Sequence, residues 1–173
     1  MTQRSLSFST NINGVGHFVI GLMQMSLERN LPTSIIQLVI FNPVTDTHKK
    51  MPSYETYKDA PLLTADDMDW MINACLPNKK DRENALTSPL TFASDEVLAK
   101  FPSTIIILSD VDPLLDEGRA FGHRLQQVGV DCAIIKAEGQ IHAHFIVLAL
   151  RTNPTSRTIV ELSALKIRKA FAT

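Results

Sequence analysis

Three short runs of the chain are apolar at nearly every position rather than at every second one: Ser34 to Phe41, Thr104 to Leu108 and Asp131 to Ile135. All three are rich in β-branched residues. A strand with one wet face alternates, so continuous apolar runs predict strands covered on both faces, as in a parallel sheet. Elsewhere the periodicity is helical. From His17 to Arg29, Phe18, Leu22 and Met25 make one stripe with Val19 and Met23 beside it. That segment is apolar almost all round and predicts a deeply buried helix. Glu117 to Val128 sets Phe121, Leu125 and Val128 at helical spacing, and Gly129 follows as a stop. A last helix, about Ser156 to Ala170, places Ile159, Leu162 and Leu165 on one side, with Lys166, Arg168 and Lys169 near its C-terminus, where the dipole favours cations.

About sixty residues separate the first strand from the second and do not read as one crossover. Asn42 to Ala60 reads as loop, Asp66 to Cys75 as a short helix carrying Met68, Trp70 and Met71, and Ser88-Pro89-Leu90 as a turn. An excursion of that length is usually functional or a sub-structure over a site. The order helix, strand, excursion, strand, helix, strand, helix predicts an open α/β sheet.

Length and composition narrow the picture. With 173 residues and 45% hydrophobic content the chain makes one packed domain, not two. Seventeen basic residues against 18 acidic ones argue against nucleic acid as a partner. No run approaches the roughly 18 apolar residues of a membrane span. The first residues hold no continuous apolar stretch, so no secretory signal is expected. Cys75 and Cys132 make neither a disulfide framework nor a zinc-site spacing, and read as free thiols in a reducing, cytoplasmic setting. Neither a cofactor nor a metal is expected.

In open parallel sheets, ligands sit beyond the carboxyl ends of the strands. Ser109 to Gly118 follows the second strand and carries Asp110, Asp112, Asp116 and Glu117; Glu138 to Phe145 follows the third and carries His142 and His144. A carboxylate and a histidine at successive strand tips can meet in the geometry by which a buried Asp fixes an imidazole tautomer. The bland alternative is that the acids cap the following helix while the histidines fill a loop. Spacing alone leaves both open. Gly14-x-Gly16 before a helix is poor evidence for phosphate binding without a strong preceding strand. Lys79 to Glu83 and His48 to Lys50 read as solvated surface, and the Met and Trp residues of the excursion could line a pocket or pack a core.

The residues also carry a resemblance. Phe41-Asn42-Pro43-Val44-Thr45-Asp46, Pro52-Ser53-Tyr54, Met68-Asp69-Trp70, Ser88-Pro89-Leu90, the Asp112-Pro113-Leu114-Leu115-Asp116-Glu117-Gly118 box, and Ile141-His142 with Asn153 to Arg157 follow one another in the order found in a known family. The chain from Pro32 onward resembles the C-terminal half of the hormone-sensitive lipase family of α/β-hydrolase carboxylesterases. The resemblance implies a partial α/β-hydrolase fold, with three to four mostly parallel strands, flanking helices and a cap-like excursion, forming a single incomplete domain over residues 1–173. It assigns the catalytic acid to Asp112 and the general base to His142. His144 is the competing base, at a position where the family usually has an apolar residue.

Two departures accompany it. The family carries its nucleophile in a Gly-x-Ser-x-Gly elbow before the buried helix. Alignment on Gly16 sets Asn11-Ile12-Asn13-Gly14-Val15-Gly16 there, so that Asn13 takes the serine position while Asn11 and Val15 replace the flanking glycines. A carboxamide nitrogen is non-basic and forms no useful acyl intermediate, and Val15 crowds a turn that needs small residues. Ser7 and Ser9 precede the turn by several residues and do not substitute. The family's His-Gly-Gly-Gly-type oxyanion loop lies many tens of residues before the nucleophile, whereas here twelve residues precede Asn13. An N-terminally truncated chain is therefore expected, inactive as written, whose ligand is a short-chain ester or an ester-like small molecule. The alternative is a non-catalytic ligand-binding or interaction module on the same fold. Arg4 to Thr10 alternates Leu6 and Phe8 with serines, as a half-exposed edge does. The uncharged strand 35–41 is expected to present an unpaired edge through which the chain self-associates.

Overall fold

A computed structural model describes residues 5–10, 13–31 and 34–172. In chain order these form β1 (Ser5–Thr10), α1 (Asn13–Glu28), β2 (Ser34–Phe41), α2 (Ser53–Thr56), α3 (Ala65–Cys75), a 3₁₀ turn (Lys79–Arg82), α4 (Pro89–Phe92), α5 (Asp95–Leu98), β3 (Ser103–Val111), α6 (Leu115–Gln127), β4 (Cys132–Ile141) and α7 (Pro154–Phe171). The four strands make one sheet in sequence order, every neighbouring pair parallel.

The continuous apolar runs have the two-faced burial they predict. Leu38, Ile40, Ile106 and Leu108 point to one face, where Val19, Ile20 and Met23 of α1 and Phe121 and Leu125 of α6 close over them. Val39, Phe41, Ile105 and Ile107 point to the other, where they meet Ile159 of α7 and Phe145, which follows β4. The alternation follows from the two-residue period of a strand. Gly118 lets α6 approach closely, because a Cβ there would lie 2.5 Å from Leu108 Cδ2.

Three expectations need correction. First, α1 is not buried all round. Its inward face is Val19, Ile20, Met23 and Gln24, whereas Phe18 is 72% and Leu22 39% exposed. Apolar character on every side locates no inward face, and the sheet touches only one. Second, β2 is not an unpaired edge, because β1 runs parallel to it from Ser5↔Ser34 to Thr10↔Ile40. Among the described residues β1, the strand expected over Arg4 to Thr10, is instead the outermost strand on that side. Arg4 itself, with Asn11 and Ile12 of the aligned elbow, lies outside the described residues. Third, β3 and β4 run on to Val111 and Ile141, so much of what reads as loop after each strand is still strand.

The excursion is a sub-structure of its own. Thr64 and Asp67 make a reciprocal capping box at the start of α3. Val44, Tyr54, Leu63, Met68 and Ile72 cluster on Leu114, two residues past Asp112. Met68 is therefore core, whereas Trp70 is 72% exposed.

Candidate active site

Residues Val111 and Ile141 are partners across β3 and β4, so Asp112 and His142 leave the ends of adjoining strands side by side. Ser109 pairs with Ala137 just before, and between these pairs β4 carries two more residues than β3. This bulge holds Gly139 at φ +68° and is pinned by Asp110, whose Oδ2 accepts from the Gly139 N–H at 3.0 Å while Oδ1 accepts from Lys136 Nζ at 2.8 Å. Bulges re-aim side chains at sheet ends. Here the bulge advances β4 by two residues, which keeps its faces and brings His142 level with Asp112.

The pair is tight and dry. His142 Nδ1 lies 2.5 Å from Asp112 Oδ2, and both side chains are at most 3% exposed. Asp112 Oδ1 accepts the Leu114 N–H at 2.9 Å, which closes the turn into α6. Away from water such a hydrogen bond is stronger than on a surface, and it selects the Nδ1–H tautomer of a neutral imidazole.

The quoted motifs converge on this turn. Ser53 Oγ donates to the Pro113 carbonyl at 2.6 Å and accepts the Asp116 N–H at 3.2 Å, while the Ser53 N–H donates to Asp116 Oδ2 at 2.9 Å. Glu117 Oε1 accepts the Thr45 N–H at 2.7 Å, and Thr45 Oγ1 donates to the Glu117 carbonyl at 3.0 Å. Asn42 joins the end of β2 to Ser109 of β3 through both its amide groups, at 2.7 and 2.9 Å. Burial pushes the Glu117 carboxyl up to about 8 against the pull of the Thr45 and Asp46 N–H groups. Removing one partner from so buried a network leaves polar groups unpaired, at about 1–3 kcal/mol each.

Of the residues singled out from the sequence, Asp112 and His142 are brought together. Asn13 is the first residue of α1, directly beyond β1 and its connection. His144 turns away from the pair: its Nδ1 meets Ser156 Oγ at 2.7 Å, and burial with the nearby His142 lowers its pKa to about 4. The capping alternative holds for one atom, since Asp112 Oδ1 serves the helix start while Oδ2 serves His142. Ser53, Glu117 and Ser156 carried no role in the sequence reading. Their motif positions were visible, but the partners that make them matter are distant in the chain. Among the described residues no cluster of three or more His, Cys, Asp or Glu is placed to hold a metal ion, and no helix is long and apolar enough to cross a membrane.

A parallel sheet flanked by helices, with an Asp–His pair at its carboxyl end, defines a hydrolase-type α/β domain, and comparison with known proteins agrees. The profile of the α/β-hydrolase fold matches residues 16–146. The chain belongs to the α/β-hydrolase family, in its hormone-sensitive-lipase-like part. It is 64% identical over 156 residues to an esterase of Fusarium pseudograminearum, covering 90% of this chain and 48% of that protein. It is 29% identical over 119 residues to ethyl acetate hydrolase of Pseudomonas putida, covering 69% of this chain and 36% of that protein. Carboxyl esterase 2 of the mycorrhizal fungus Tuber melanosporum superposes with a TM-score of 0.87 at 31% identity, over 96% of this chain and 53% of that one. The chain thus spans about half the length of the Fusarium and Tuber esterases and about a third of the Pseudomonas hydrolase.

Proposed function

We propose that this site is the acid–base part of a serine carboxylesterase centre for short-chain esters, with Asp112 orienting His142 and Asn13 standing where the nucleophile stands. The observation that carries the reading is the buried 2.5 Å hydrogen bond between Asp112 and His142 at adjoining strand ends, in a chain of the α/β-hydrolase family. In such a centre the neutral imidazole removes a proton from the attacking hydroxyl, and the carboxylate stabilises the imidazolium that forms. General-base help of this kind is worth about 10²–10⁴ in rate. It needs a hydroxyl to act on. The Asn13 amide nitrogen shares its lone pair with the carbonyl and offers neither a removable proton near neutral pH nor a leaving acyl intermediate. The sequence as it stands therefore keeps the proton-transfer pair and forms no acyl-enzyme through residue 13.

The test is steady-state and burst kinetics with p-nitrophenyl acetate and butyrate against a His142→Ala control. The expected result is no turnover above that control. A burst followed by His142-dependent turnover would refute the reading of Asn13 and establish a nucleophile elsewhere. Free Cys75 and Cys132 are in keeping with a reducing, cytoplasmic setting.

A further inference from the structure

His142 stands between two anchors on the first turn of α7. Two residues before it, Gln140 Oε1 accepts from Asn153 Nδ2 at 2.8 Å. Two residues after it, His144 Nδ1 meets Ser156 Oγ at 2.7 Å. Asn153 caps α7 by accepting the Ser156 N–H at 2.9 Å, so both anchors hang from one rigid helix start. That helix is in turn fixed to the sheet, because Ile159 shares a buried cluster with Phe41 and Phe145.

The backbone between the two histidines makes an anchor necessary. Ala143 sits at φ +56°, a conformation that L-residues adopt only when their surroundings hold them there. His144 is wholly buried, and its Nε2 finds no partner among the described residues. Ser156 is thus the polar anchorage of the ring. The hydroxyl pairs a ring nitrogen that burial would otherwise leave unsatisfied, and in doing so ties the ring to α7.

We propose that His144, clamped by Ser156, is a positioning residue that holds the 142–144 turn so that His142 Nδ1 faces Asp112. The proposal deepens the acid–base reading of the site and rests on it for its meaning, though not for its test. Burial keeps His144 neutral well below neutral pH, so the clamp adds no positive charge beside His142 when that ring takes up a proton.

Long-range ¹H–¹⁵N correlation spectra of the histidine-labelled chain test this without requiring turnover. In the parent protein His142 is expected as a single Nδ1–H tautomer. Ser156→Ala removes one oxygen while leaving the Asn153 cap intact, and is expected to convert that signature to a resolved mixture of tautomers. His144→Phe keeps the bulk of the ring and is expected to do the same. Ser156→Thr, which retains the hydroxyl, and His144→Asn, whose amide reaches the Nδ1 position, are expected to restore the single form. An unchanged His142 signature in folded Ser156→Ala would overturn the clamp, whether or not His144→Phe folds. The acid–base reading fails differently: Asp112→Asn would then leave the His142 tautomer as it is.

Discussion

Val111 of β3 faces Ile141 of β4, two residues out of step with the Ser109–Ala137 pair below it. Had the lower register continued, Asp112 would lie level with Gln140, and His142 would overshoot it. The site therefore depends on a bulge around Gly139, whose φ of +68° suits glycine. A Cβ there would meet nothing within 4 Å, so only the backbone conformation opposes a side chain. Gly139→Ala is expected to cost about 1–2 kcal/mol, the penalty of a left-handed L-residue, and Gly139→Asn less. Urea denaturation measures both. A Gly139→Ala variant as stable as its parent would mean that the bulge can be built another way.

Packing at Gly118 gives a test of opposite local and tertiary effects. Alanine gains about 1 kcal/mol over glycine in a helix interior, but its methyl would approach Leu108 Cδ2 to 2.5 Å in a buried cluster. Overpacking of that kind costs about 1–3 kcal/mol, and α6 would lift from β3 beside Asp112. Net destabilisation of about 1–2 kcal/mol is expected from Gly118→Ala in chemical unfolding. A gain in stability would show that α6 has room to move.

Two buried groups tilt stability with pH in opposite senses. Glu117 is held at about 8 by burial, against an ordinary 4.5, so the folded state binds the extra proton between those values. Its contribution is complete below pH 4.5 and is lost as pH rises through 8. His144 is held at about 4, against 6.5, so there the unfolded state binds the extra proton. Its neutral burial costs nothing further above pH 6.5 and becomes costly as pH falls through 4; His17 is shifted in the same sense by burial. Stability is expected to be greatest between about pH 4.5 and 6.5 and to fall on both sides. Glu117→Gln should flatten the fall from 6.5 to 8. A stability that climbs over that interval would contradict the assignment.

How much of this was legible beforehand depended on whether a partner was local. The apolar runs at 34–41 and 104–108 gave strands because a two-sided parallel strand is apolar at successive positions, whatever packs on it. The Asp112–His142 pair followed from strand order and motif resemblance. The α1 face did not, because Phe18 and Ile20 are equally apolar in sequence, and only the sheet decides between them. The register bulge was hidden for a related reason: Glu138-Gly139-Gln140 reads as lying beyond the strand until β4 is paired with β3. The clamp on His144 joins residues twelve apart through a helix cap, and no spacing rule announces it.

The solution state of the chain provides a further test. Among the described residues β1 is the outermost strand on its side and is uncharged, and Phe18 and Leu22 of α1 are open to solvent. Unblunted edges and exposed apolar patches both favour association. Light scattering after size exclusion is expected to give a mass above the 19.2 kDa of one chain, and paired Phe18→Ser and Leu22→Ser changes are expected to lower it. A monodisperse monomer of the parent chain would show that neither feature is sticky enough to matter.

With Asn13 at the position of the nucleophile, the Asp112–His142 pair is expected to have no hydroxyl to activate. Intact-mass spectrometry after brief exposure to a fluorophosphonate, which reacts fastest with an activated serine hydroxyl, reads this directly. The parent mass is expected to remain unchanged. A stoichiometric adduct on a serine, abolished in Asp112→Asn and His142→Ala, would contradict it.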